Sequence, residues 1–179
     1  MNDLVVKEKK KREKMSKKTL WILGIVSTCL LLGLIPAGAG DRFTDNGDGT
    51  VTDHLLGVMW GKTDNQGDID WKGAERWVNY TFPFSLPPAK QGNWRLPTIK
   101  ELQTLYVVDK NYKGYETDCG QRVKMIPEIR LSCGWVWSSE RKNITARVFN
   151  FQKGYNYTDR MVHRRAYRAL PVRTLKPGE

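Results

Sequence analysis

Apolar residues recur at two periods along this chain, and the change between them outlines the fold. Arg42-Phe43-Thr44-Asp45 and Thr50-Val51-Thr52-Asp53 alternate around Asn46-Gly47-Asp48-Gly49. Asn-Gly and Asp-Gly accept the positive φ angles of a tight turn, so a hairpin is predicted. A second turn at Leu56-Gly57 leads into a strand at Val58-Met59-Trp60. The period then lengthens. Trp71, Ala74, Trp77 and Val78 form an apolar stripe, which predicts a helix over Trp71–Tyr80 with Asp70 as its cap. Phe82 to Gly92 is proline-rich and reads as a loop.

A second helix is signalled more strongly. Thr98 with Glu101 three residues on is a capping box, and Ile99, Leu102, Leu105 and Tyr106 share a face to about Val107. Pro97 biases Leu96 to an extended conformation. Trp94, Arg95, Leu96, Pro97, Thr98 and Glu101 thus read as a structural keystone: two large anchors and a fixed helix start. Residues 109–133 show no period. Beyond them, alternation returns at Gly134–Ser139, at Ala146–Phe151, at Tyr155-Asn156-Tyr157 after a Lys153-Gly154 turn, and at about Tyr167–Val172. Two helices early and strands late predict an α+β fold, with the helices on antiparallel sheet and hairpins between long irregular loops.

The leader has a different character. Residues 1–18 hold eight Lys or Arg against three acids, Leu20 to Ile35 is apolar, and Pro36-Ala37-Gly38-Ala39 offers an A-x-A cleavage pattern. Residues 1–39 therefore read as a cleaved secretory signal, with Met15 a second candidate start and an uncleaved anchor the rival reading. One domain, residues 40–179, remains. Of the net charge of +11, the first 18 residues supply +5. The basic balance therefore does not argue for nucleic acid, and any membrane contact is assigned to an uncleaved leader.

Cys119 and Cys133 are the cysteines beyond the leader, and an exported chain with two cysteines pairs them. A thiol nucleophile would have to rely on His54 or His163, neither in a recognisable signature, so no catalytic residue is assigned. Asp64, Asp68 and Asp70 supply hard oxygen ligands, a weak candidate for Ca²⁺, but without the terminal Glu of a twelve-residue calcium loop. No other cofactor is indicated. Cations crowd the end of the chain. Arg147, Lys153, Arg164, Arg165 and Arg168 are the candidate ligand-binding residues, within a wider run that includes Arg141, Lys142, Arg160 and Arg173. Planar guanidinium forks match sulfate and carboxylate oxygens, so an acidic polysaccharide is the expected partner.

Four motifs in order, Arg42–Asp53, Gly57-Val58-Met59-Trp60, Asn93–Leu102 and Trp137-Ser138-Ser139, resemble the Lcl C-terminal domain family. This is a bacterial domain of largely unknown function, and the resemblance covers nearly all of residues 41–173. It implies a fold similar to C-type lectins and formylglycine-generating enzymes. The reactive cysteine pair of those enzymes is missing here, as are the Glu-Pro-Asn and Trp-Asn-Asp motifs of calcium-dependent lectins. Some relatives bind sulfated polysaccharides. The expected role is an exported, non-catalytic binding module at the cell envelope or outside it. The alternatives are an envelope structural or assembly protein that binds another protein, and an enzyme of unrecognised chemistry.

Overall fold

The computed structural model of the chain describes residues 41–178, so the signal, the second start and the cleavage site lie outside the described residues. The described part is α+β, with more sheet than helix. Strands β1 (Phe43–Asp45), β2 (Thr50–Asp53) and β3 (Val58–Gly61) are antiparallel neighbours, and β10 (Val172–Thr174) closes the sheet against β3. The predicted hairpin turn is present, with Gly47 and Gly49 at φ 73 and 86. A second sheet has the order β8-β7-β6-β9, from β6 (Trp135–Lys142), β7 (Thr145–Asn150), β8 (Tyr155–Arg160) and β9 (Tyr167–Arg168).

The second sheet is buried on both faces because its apolar residues point both ways. Val136 and Phe149 join Ile99, Leu102 and Leu105 of helix α2 (Ile99–Thr104) and Val51, Trp60 and Val172 of the first sheet in the main core. The opposite face presents Trp137, Ala146 and Val148 to helix α1 (Trp71–Arg76), whose Trp71 and Ala74 complete a second core. Asp70 caps α1, accepting from the Gly73 N–H at 2.7 Å. The helix runs on as a π turn, Trp77–Thr81, and a 3-10 turn, Phe82–Ser85.

Four expectations need correction. The predicted last strand is two strands in different sheets: β9 pairs parallel with β6, and β10 pairs with β3. Pro171 lies between them and has no N–H to donate to a ladder. Its carbonyl accepts instead from Gly61 N at 2.9 Å, where the chain crosses over. The parallel β6–β9 pair also means that the sheets are not wholly antiparallel. Helix α2 stops at Thr104 rather than about Val107, because the chain beyond it pairs with residues 109–133, the long irregular excursion that follows: Ile126 N donates to Leu105 O and Val107 N to Lys124 O. The excursion itself carries a short hairpin, β4 (Tyr115–Glu116) with β5 (Arg122–Val123). The Cys119–Cys133 disulfide ties it to the residues entering β6.

The stretch around the second helix start joins the two sheets. Arg95 exchanges both backbone hydrogen bonds with Val172 of β10, at 2.9 and 3.0 Å. Pro97 O accepts from Ser139 N of β6 at 2.7 Å. Trp94 is buried, donates its indole N–H to Lys90 O at 2.6 Å, and meets Phe82 edge-on at 4.8 Å. Leu96 is buried in the second core. The capping box is complete, with Glu101 N donating to Thr98 Oγ1 and Thr98 N to Glu101 Oε2.

Candidate cationic site at the end of the second sheet

Glu140 is where the keystone reaches the surface. One carboxylate oxygen accepts from Ile99 N at 2.9 Å, satisfying an N–H that the first turn of α2 leaves without a helical partner. The other accepts from Arg147 Nη1, also at 2.9 Å. Arg147 in turn donates to the Asn156 side chain on β8. A helix start thus fixes a carboxylate, the carboxylate fixes a guanidinium, and the neighbouring strand holds the guanidinium's other edge. Behind this, Arg95 grips both oxygens of Glu101 at 2.9 and 2.7 Å. Burial works to raise the Glu101 carboxyl, but Arg95 and the Thr98 N–H outweigh it and hold it below its ordinary value.

Arg147 lines an open groove of about 300 Å³ with Glu140, Arg141, Lys142, Thr145, Ala146 and Thr158. Three of these are cations, and the single acid is occupied by Ile99 and Arg147. Arg141 lies over the Trp71 ring, 5.3 Å from its centre, which limits its freedom. Thr145 and Thr158 add neutral hydroxyls. The groove suits an extended anion. It holds several charges at once and has donors on two adjacent strands.

The predicted ligand-binding cations are dispersed. Arg147 lines the groove. Lys153 is exposed on the β7–β8 turn, at the far end of that hairpin. Arg164 and Arg165 are exposed in the turn that leads into β9. Arg168 requires correction as a surface cation. It is 6 % exposed, with Nε on Ser132 Oγ at 2.6 Å and Nη1 on Asp68 at 2.8 Å. The sequence had marked Arg141 and Lys142 only as part of a wider basic run, and it gave no signal for the organising role of Glu140. That role depends on a contact 41 residues away.

The calcium candidates also have other partners. Asp64 is buried and accepts from Ser132 N at 2.7 Å and from Gln66 N at 2.8 Å. Burial pushes its carboxyl above the ordinary value in spite of these bonds. The Arg168 hydrogen bond holds Asp68 low, and Asp70 is the cap of α1. Among the described residues, no three His, Cys, Asp or Glu side chains gather as a metal-holding group. His54 bonds Thr44 and His163 bonds Asp159. Both cysteines considered as nucleophiles are in the disulfide. No helix among the described residues is long and apolar enough to cross a membrane.

The model of one family, described as the Lcl C-terminal domain, matches residues 49–173. No curated protein matches the chain.

Proposed function

We propose, from the premise that the chain belongs to the Lcl C-terminal domain family, that it is an exported, non-catalytic module that binds acidic or sulfated polysaccharide. We read the finer fold as C-type-lectin-like and the place of action as the cell envelope or outside it. The disulfide is consistent with export, because such bonds persist in oxidising compartments. The observation that carries the reading is the groove lined by Arg141, Lys142 and Arg147, whose one carboxylate is already engaged. Bidentate guanidinium contacts suit sulfate and uronate oxygens.

The test is retention on a heparin column across a salt gradient. Arg141→Gln, Lys142→Gln and Arg147→Gln together are expected to abolish retention, and wild-type retention is expected to fall steeply as salt screens charges beyond ~8 Å. Equal retention of the triple variant would move binding elsewhere. No retention of the wild type at low salt would end the reading. A second reading, an envelope assembly protein that binds another protein, is favoured by the exposed aromatics Tyr80 and Phe84.

A further inference from the structure

The end of the second sheet carries a feature that a polyanion does not use. Two turns meet there, the Asn143-Ile144 turn between β6 and β7 and the turn that follows β8. Met161 N donates to Ile144 O at 2.9 Å and fastens them together. Ile144 is 64 % exposed and Val162 69 %. With Met161, Lys72 and Asp70 they border an apolar hollow of about 190 Å³. Asn143 makes the projection feasible, holding φ 54 in the left-handed region that Asn tolerates.

Cations stand on both sides of this tip. Lys142 pairs with Thr145, and Thr145 with Arg160, so both cations rise on the face that also carries Arg147. Lys72 borders the hollow, and Arg141 lies over Trp71 on the α1 side. Three nearby carboxylates are engaged, Asp70 by Gly73 N, Glu140 by Ile99 and Arg147, and Asp159 by Tyr167 and His163, while Glu75 is exposed on α1 one turn from Lys72. Two projecting aliphatics within a ring of cations need a partner that is both negative and penetrable by apolar side chains. A hydrated polysaccharide supplies only the first property. A bilayer with anionic headgroups supplies both, since basic residues bind its surface potential and apolar ones enter the headgroup–acyl boundary.

We propose that this end of the sheet docks on an anionic lipid bilayer, with Ile144 and Val162 entering the boundary and Lys72, Lys142 and Arg160 on the headgroups. The proposal shares Lys142 with the polysaccharide reading and otherwise rests on other residues, Lys72, Ile144, Arg160 and Val162.

The test uses the full chain with Cys29→Ser, so that an environment-sensitive fluorophore attaches only at Ile144→Cys. Vesicles of phosphatidylcholine with ~30 % phosphatidylglycerol are compared with phosphatidylcholine alone. The expected result is a blue shift with the anionic vesicles only, reversed by ~0.5 M salt. Lys72→Gln with Arg160→Gln should raise the lipid needed by roughly 25-fold, at ~5-fold per cation. The same fluorophore at Leu55→Cys, exposed at the turn between β2 and β3, should not respond. The proposal is overturned by no shift with anionic vesicles at low salt, or by an equal shift with neutral ones. An equal response at Leu55 would mean adsorption through some other part of the chain. An equal shift with soluble heparin would assign the tip to the polyanion, so the two readings fail separately.

Discussion

Arg168 and Arg147 lie 21 residues apart, both on strands of one sheet, and have opposite surroundings. Arg168 is buried among Ser132, Asp68 and, at 3.9 Å, the buried Asp64. Arg147 keeps 42 % of its side chain exposed and shares its guanidinium with one acid and one amide. The first ties three segments together: the loop before α1, the end of the excursion, and β9. The second is held in place but still faces water, and its neighbours are cations. The same residue type is therefore a fastener in one position and a candidate ligand contact in the other. Burial and the supply of carboxylates decide between these roles.

Substitutions should separate the two sharply. Arg168→Ala leaves Asp64 buried without its cation, and losing one partner of a buried pair costs on the order of 3–5 kcal/mol. A large fall in melting temperature is expected, whereas the groove variant of Arg141, Lys142 and Arg147 should melt close to wild type. A similar loss in both, by calorimetry, would erase the distinction.

The next effect is smaller and concerns the segment that supplies Ser132 to Arg168. The disulfide closes a 14-residue separation ending at Cys133, and its loss should cost ~3 kcal/mol in the chain-entropy model. Denaturant unfolding with and without reductant measures this. Heparin retention below the new melting point should be unchanged, because Glu140 and Arg147 are held from α2 rather than from the excursion.

The smallest effect depends on pH. The folded Glu101 carboxyl sits below its ordinary value of 4.5. Its stabilising share is therefore fully present above the unfolded value and is lost as pH falls through the lower folded one. Asp64 has the opposite sign: its raised folded value favours the fold below the unfolded value, and this share is lost as pH rises through the folded one. Glu101→Gln should flatten the acid limb of a stability–pH curve, and Asp64→Asn should not. An unchanged limb in Glu101→Gln would show that the Arg95–Glu101 fork is too screened to matter.

The elements that were legible in the sequence are those whose cause is local. The Asn-Gly-Asp-Gly turn, the Asp70 cap and the Thr98–Glu101 capping box each need only residues within a few positions, so their side chains and backbone determine them. The disulfide followed from having two cysteines to pair. The basic run was visible as composition, but composition says nothing about which cation faces a carboxylate.

Tertiary structure decided the rest. The period of α2 continues past Thr104, yet strand-like pairing of residues 105–107 with 124–126 prevails, because backbone hydrogen bonds there come with burial of Leu105 and Met125. The single apolar run from Tyr167 to Val172 divides between two sheets because neighbours at Trp135 and Trp60, far apart in sequence, each take part of it. The groove follows the same rule. The sequence alone established α+β elements, a keystone and an excess of cations. Pairing of β6 with β7 brings Arg147 into one groove with Arg141 and Lys142, the contact of Glu140 with Ile99, across 41 residues, anchors the carboxylate that orients it, and Ser132, Asp68 and Asp64 hold Arg168 inside. A long-range contact of this kind is paid for by the packing of the whole domain, and no local pattern along the chain encodes it.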